Sequence, residues 1–281
     1  MLNRKLITCI GLLLVLSHCD TKKRYEDNIA NSMFCHSFAI CNGQTPARVG
    51  IIGDSWTDYA LGLEIVETLR TRLENDHGYQ FAGATLGGRT LSAAVGQGLQ
   101  FQVIDEAGAD IKTIIISLGG NDLQANIAEF VGNVDAVQAS RFAKIRTDLK
   151  HMVQTGNAYK LSKFGGQPIT WIIHGYDYPN PYMNVVRGNS GCKTLFDQVG
   201  LNVPDAAIFA RDQLDGLNNT FLSIANEEPT LLYVDLRRTL FGPPSSQAEF
   251  MTDCIHPNNL GYKLLADRFA LTIYPITNIG R

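Results

Sequence analysis

The sequence lacks the signatures of several common enzyme classes. It contains no Gly-x-Ser-x-Gly elbow, no Walker A loop, no His-Glu-x-x-His motif and no Cys-x-x-Cys pair. The absence of these motifs excludes the usual α/β-hydrolase, P-loop and zinc-protease active sites. A metal site would need scattered ligands, and no cofactor or metal is predicted.

Charge is also scarce. Only 18% of the 281 residues are charged, the formal net charge is −3, and 45% of the residues are hydrophobic. No lysine or arginine stripe occurs, so nucleic acid is not an expected partner. The length suits one α/β domain with a sizeable core.

No apolar run is long enough to cross a bilayer comfortably. The run Leu6–Leu16 follows Arg4 and Lys5, which predicts a signal peptide over residues 1–19. Val15-Leu16-Ser17 fits ordinary secretory cleavage, whereas Leu16-Ser17-His18-Cys19 resembles a bacterial lipoprotein box with an atypical His18. The protein is therefore predicted to be exported, either secreted or lipid-anchored at Cys19; a retained N-terminal membrane helix is the remaining alternative.

Cysteine parity favours the lipid anchor. Simple cleavage leaves an odd set, namely Cys19, Cys35, Cys41, Cys192 and Cys254. Lipidation of Cys19 leaves four, which can pair fully in an oxidising compartment.

The rest of the chain divides into a polar N-terminal arm or tether, residues 20–46, and one domain, residues 47–281. In the domain, predicted strands alternate with predicted helices, which indicates a parallel α/β sheet. The predicted strands are Arg48–Gly53, Tyr79–Ala84, Ile111–Leu118, Pro168–His174 and Leu231–Leu236. The predicted helices are Trp56–Leu73, Leu91–Ile104, Val134–Val153, Asp205–Asn226 and Leu260–Ile273. Residues 175–204 are predicted to fold as a loop over the sheet edge.

Polar and Gly-rich clusters follow four of these segments. They are Gly53-Asp54-Ser55, Gly87-Gly88-Arg89-Thr90, Gly119-Gly120-Asn121-Asp122 and Asp253-Cys254-Ile255-His256-Pro257. Because ligands bind outside the carboxyl ends of strands in such sheets, we expect one common site.

The residue types at this edge suit acyl transfer. A serine such as Ser55 needs a histidine to accept its proton, and that histidine needs a carboxylate; His256 and Asp253 can supply both. Developing negative charge on oxygen needs fixed donors, which Gly88 and Asn121 can offer. Taken singly, Ser55 could be a helix cap and the glycines ordinary turns.

Three further residues at this edge are predicted to have structural roles. The carboxylates of Asp54 and Asp122 are expected to hold backbone or side-chain hydrogen bonds. His174 ends a predicted strand, and a buried structural histidine is favoured there over a catalytic one.

The four clusters, in this order, resemble the conserved blocks of the SGNH hydrolase superfamily, also called GDSL esterases and lipases. The resemblance spans residues 48 to about 273, with Trp56 where the family has leucine. It implies a flavodoxin-like three-layer α/β/α sandwich with a five-stranded parallel sheet in order 2-1-3-4-5. It also implies a catalytic triad of Ser55, His256 and Asp253, with an oxyanion hole of the Ser55 and Gly88 N–H groups and the Asn121 amide.

The family's substrates include simple esters, thioesters, lysophospholipids and O-acetylated sugars, so a small-molecule, lipid or sugar ester is expected. Short acyl groups are predicted here, because no long apolar flap is evident in the sequence. A carbohydrate O-acetylesterase and a non-catalytic surface lipoprotein with the same fold are the alternatives. The oligomeric state stays open.

The implied sheet order also bears on the cysteines. Cys35 and Cys41 are close in sequence, which favours a Cys35–Cys41 pair and leaves Cys192 with Cys254. The loops that carry Cys192 and Cys254 follow neighbouring strands of the implied sheet, so a Cys192–Cys254 bridge at the catalytic edge is predicted. The alternative is that Cys254 is a buried free thiol.

Overall fold

The computed structural model describes residues 49–58, 67–124, 127–183, 196–197 and 200–277. The predicted signal peptide and arm, with Cys19, Cys35 and Cys41, lie outside these ranges, as does Cys192. Their cleavage, lipidation and pairing remain predictions. Among the described residues, no helix is both long and apolar enough to cross a membrane.

Five parallel strands form one sheet in the order β2-β1-β3-β4-β5, as predicted. The strands are β1 Val49–Gly53, β2 Phe81–Ala82, β3 Thr113–Ser117, β4 Thr170–His174 and β5 Leu231–Val234. Every residue of β1 and β3 is buried, and the two strands pair from Val49↔Thr113 to Gly53↔Ser117. Such burial is typical of a central parallel strand covered on both faces.

Helices cover both faces of the sheet. They are α1 Leu69–His77, α2 Leu91–Gly96, α3 Leu99–Ala107, α4 Gly120–Gln124, α5 Val134–Phe164, α6 Val203–Glu227 and α7 Asn259–Thr277. On one side α1 packs against α7, and on the other α5 packs against α2, α3 and α6. The predicted three-layer α/β/α sandwich is therefore confirmed.

Several predicted boundaries were wrong, chiefly at glycines. Strand β2 has two residues rather than six, because Gly78 ends α1 in a left-handed conformation and Gly83 turns away with a φ of +109°. The helix predicted over Leu91–Ile104 is two helices, interrupted at Gly98 with a φ of +66°. These angles are strained for residues with a Cβ atom.

Other helices differ in extent. Residues 54–57 form a turn rather than the predicted start of a helix, and α1 begins at Leu69 behind a Thr68 cap. Helix α5 continues beyond the predicted Val153 to Phe164. Helix α4 and the short 3₁₀ helix Ile127–Phe130 were not predicted.

A buried carboxylate joins the carboxyl ends of three strands. Asp54 follows β1 and is only 1% exposed. Its Oδ1 accepts the Trp56 N–H at 3.0 Å, and its Oδ2 accepts the Tyr176 hydroxyl at 2.6 Å and the Asn121 amide at 3.4 Å. Tyr176 follows β4 and Asn121 follows β3, so one side chain fixes this edge of the sheet.

Asp122 has a similar structural role. Its carboxylate accepts the backbone N–H groups of Leu91 at 2.7 Å and Ser92 at 3.1 Å. These groups open α2 and have no partner within that helix. The hydrogen bonds predicted for Asp54 and Asp122 are thus confirmed.

Burial raises the pKa of Asp54 from 3.8 to about 6. The folded protein therefore holds this proton more tightly than the unfolded chain does. We predict that wild type loses stability relative to Asp54→Asn as pH rises from about 4 to about 6, by up to about 3 kcal/mol, and that the difference is constant above that range. Denaturant unfolding of both proteins across this pH range measures it.

Asp105→Asn is the matched control. Hydrogen bonds from Lys163 and Tyr159 hold the pKa of Asp105 below 3.8. The stability contributed by Asp105 is thus lost only at lower pH, and its difference from wild type should stay flat between pH 4 and 6. An equally flat result for Asp54→Asn would contradict the raised pKa.

Candidate active site

Ser55 lies in a tight turn directly after β1. The turn is closed by the Thr57 N–H, which donates to the Asp54 carbonyl at 3.0 Å, and is tied to β3 by the Asp54 N–H, which donates to the Ser117 carbonyl at 3.0 Å. A Cβ atom at Gly53 would collide with the Thr57 side chain. The serine is therefore presented by a packed turn that joins two central strands.

Ser55, His256 and Asp253 form a continuous hydrogen-bonded chain. His256 Nε2 lies 2.9 Å from Ser55 Oγ, and His256 Nδ1 lies 2.8 Å from Asp253 Oδ2. Asp253 Oδ1 also accepts the backbone N–H groups of Ile255 at 2.9 Å and His256 at 2.8 Å. The short loop from Asp253 to His256 thus wraps around its own carboxylate.

The electrostatics keep Asp253 ionised. Burial raises its pKa, but the hydrogen bond and charge of His256, with the two backbone N–H groups, outweigh burial and leave the pKa below 3.8. An ionised carboxylate at Nδ1 orients the imidazole so that Nε2 faces the serine, and it stabilises an imidazolium.

The predicted oxyanion donors lie next to each other, beside the serine turn. Asn121 is the second residue of α4, and its side-chain amide donates to the Arg89 carbonyl at 3.0 Å and to Asp54 at 3.4 Å. Gly88 has a φ of +77°, and the neighbouring Gly87 packs against the Ser55 turn. Within the described part of the chain, the backbone N–H groups of Ser55 and Gly88 have no hydrogen-bond acceptor. They remain available to an incoming oxygen.

Trp56 links the serine turn to the histidine loop, a contact that sequence reasoning missed. Its indole Nε1–H donates to the Ile255 carbonyl at 3.1 Å, immediately before His256. Its ring meets Tyr176 edge-on, with 4.9 Å between ring centroids. The available signal was the departure from the family's leucine at this position.

Tyr176 and Asp177, which follow β4, were also missed as positioning residues. Of the hydrogen bonds that the Asp54 carboxylate accepts, the one from the Tyr176 hydroxyl is the shortest. The Asp177 carboxylate accepts the backbone N–H groups of Tyr178, Arg238 and Leu240. It therefore holds the loop after β4 against the loop after β5.

His174 touches none of the triad atoms. It is fully buried, its Nδ1 lies 2.8 Å from the Gly175 carbonyl, and its ring stacks at 6.3 Å from Trp56. Burial lowers its pKa to about 4, so the ring is neutral at pH 7. This agrees with the predicted structural role.

An open cleft begins at Ser55 and His256, and its volume, solvent at the mouth included, is about 980 Å³. Most of its lining is apolar, namely Leu123, Ile127, Phe130, Phe196, Phe209, Ala210, Leu214 and Ile255. The described residues hold no cluster of three His, Cys, Asp or Glu side chains placed to bind a metal.

Comparison with known proteins bears on the family and the fold. The model of the GDSL-like lipase/acylhydrolase family matches residues 51–264. Two similar solved structures are a lipase from a goat rumen metagenome and a GDSL-like lipase from Bacteroides thetaiotaomicron. The first is 16% identical to this chain with a TM-score of 0.55, and the match covers 80% of this chain and 97% of the rumen lipase. The second is 14% identical with a TM-score of 0.51, and the match covers 91% of this chain and 98% of the Bacteroides protein.

At these identities the two structures show a shared fold and no more. No curated protein matches the sequence significantly. The family model, in contrast, spans most of the chain, and the protein belongs to the GDSL-like lipase/acylhydrolase family.

Proposed function

We propose that the protein hydrolyses carboxylic esters through an acyl-enzyme intermediate on Ser55. Family membership makes it a carboxylic ester hydrolase. The observation that supports the residue assignment is the hydrogen-bonded chain from Ser55 Oγ through His256 to Asp253, with spacings of 2.9 and 2.8 Å.

In the first half-reaction, Ser55 Oγ attacks the ester carbonyl carbon while His256 Nε2 takes the hydroxyl proton. The carbonyl oxygen becomes negative and is stabilised by the Ser55 and Gly88 N–H groups and by the Asn121 amide, which exchanges its long 3.4 Å hydrogen bond to Asp54 for one to this oxygen. Collapse breaks the bond to the alcohol, which leaves with the proton from His256. Water, activated by the same histidine, then releases the acid and restores Ser55.

An aligned triad argues against a binding module that has lost catalysis, because a binding role does not require a serine, histidine and carboxylate in sequence. Export, with a lipid on Cys19 as an anchor, remains a prediction from the sequence.

Ser55→Ala should abolish turnover of 4-nitrophenyl acetate and leave the fold intact, because loss of the nucleophile costs several orders of magnitude in kcat. A fluorophosphonate probe should label wild type at Ser55 only. Ser92→Ala, which removes a serine hydroxyl outside the triad, is the control. Activity of Ser55→Ala within tenfold of wild type would refute the assignment.

Asn121→Ala should lower kcat by about 10² to 10³ with little change in KM, as expected for removal of one oxyanion donor. Steady-state kinetics on the same ester measures both constants. An increase confined to KM would instead make Asn121 a ground-state substrate contact.

We further propose the Cys192–Cys254 bridge. Cys254 is 5% exposed and belongs to a small apolar cluster with Phe196, which is four residues after Cys192 in the sequence. A bridge there would stabilise the domain by about 2–4 kcal/mol and hold the loop that carries Asp253 and His256.

Cys192→Ser should therefore lower kcat at temperatures where the domain is still folded, because small misplacement of His256 is costly. Circular dichroism beside the kinetics separates the two effects. Alkylation of Cys254 in denatured, unreduced protein would rule the bridge out.

A further inference from the structure

The walls of the cleft are built by segments that are distant in sequence. Phe209 on α6 packs edge-on against Phe130 at 5.3 Å and lies 6.4 Å from Phe196. Leu123 and Ile255 continue the wall to the triad, since Ile255 immediately precedes His256. This wall is packed and apolar, which suits an aliphatic group of the substrate.

One buried polar side chain in this wall has an oxygen atom with no hydrogen-bond partner among the described residues. Gln213 lines the cleft, is only 5% exposed, and its Oε1 has no hydrogen-bond partner among the residues described. The buried Asp177 carboxylate in the same wall is, in contrast, satisfied by three backbone N–H groups. An unpaired buried amide is costly, and a bound group that pairs with it would recover that cost.

The order of the reaction indicates which half of the ester occupies the cleft. The alcohol must leave before water can attack, so its side needs free access to solvent. The acyl group stays on Ser55 from the first half-reaction until water releases it, and an apolar cleft can hold it throughout. The acyl half is therefore the better occupant.

We propose that the cleft binds an aliphatic acyl chain that carries a hydroxyl group, and that Gln213 recognises this hydroxyl. The substrates are then esters of hydroxylated aliphatic acids. The proposal rests on the proposed ester hydrolysis and replaces the short acyl groups expected from the sequence. A hydroxyl both donates and accepts, so it pairs with the Gln213 amide in either orientation of its O and N atoms.

The test compares 4-nitrophenyl decanoate with analogues that carry one hydroxyl at different carbons of the chain. With wild type, at least one analogue should exceed decanoate in kcat/KM by about ten- to hundredfold, the value of satisfying a buried polar group. Gln213→Met, which keeps the side-chain length without the amide, should remove this preference. Gln213→Glu, which keeps acceptors, should retain part of it.

Gln167→Met is the matched control, because the Gln167 side chain is exposed and precedes β4, whereas the cleft lies beyond the carboxyl end of that strand. It should leave the preference unchanged. A second series, acetates of decanol and of hydroxylated decanols, should show no such preference. A preference found only in that series would place the alcohol in the cleft and overturn the proposal.

A binding measurement separates this proposal from the proposed function. Calorimetry on Ser55→Ala should show tighter binding of a hydroxydecanoate than of decanoate, and Gln213→Met in that background should equalise the two. If wild type hydrolyses no ester, the proposed function is refuted. The binding measurement still tests whether the cleft recognises the hydroxylated acyl chain. Equal affinities, or a ratio unaffected by Gln213→Met, would mean that Gln213 pairs only with water and would overturn the proposal.

Discussion

The site depends on one buried carboxylate. Asp54 is buried, and burying an ionised carboxylate without hydrogen-bond donors is unfavourable. Its raised pKa reflects that cost. The donors that compensate come from Trp56, Tyr176 and Asn121. Each belongs to a different segment of the active site, so the residue that is costly to bury also sets the relative positions of these segments.

A second set of contacts positions the acid–base loop. Asp253 is held by the N–H groups of its own loop, and the loop is held to the serine turn by the Trp56 indole at the Ile255 carbonyl. Trp56 thus contributes its backbone N–H to the Asp54 carboxylate and its side chain to the histidine loop. Ser55 and His256 are aligned through this neighbouring residue, and such alignment matters because displacements of about 1 Å can cost a hundredfold in rate.

The sequence predicted the parts of the structure that rest on local patterns. Apolar runs located β1, β3, β4 and β5, and two of the polar clusters contain the proposed triad of Ser55, Asp253 and His256, which form a hydrogen-bonded chain. The wrong boundaries of β2 and of the helix predicted over Leu91–Ile104 lie at glycines with a positive φ. The sequence does not show which glycines adopt that backbone conformation. The break at Gly98 is an example.

Contacts between distant segments were beyond prediction for a different reason. Tyr176 and Asp54 are 122 residues apart, and Trp56 and Ile255 are 199 apart. The apolar wall of the cleft has the same character, because each of its residues looks like an ordinary core or surface residue within its own segment. The prediction of short acyl groups rests on the absence of one long apolar flap from the sequence, and a wall assembled from several short pieces produces no such pattern.

The cleft and the oxyanion site share a structural element. Helix α4 carries both Asn121 and, two residues later, Leu123, so the same five-residue helix holds the proposed oxyanion donor and one residue of the apolar wall. Gly120 packs against the Tyr176 ring, and Asp122 is fixed to α2, which leaves this helix little freedom to move. A chain bound against Leu123 is therefore held by the same rigid helix that carries Asn121. Binding energy from the remote part of the acyl group can in this way be used to orient the carbonyl, rather than only to hold the substrate.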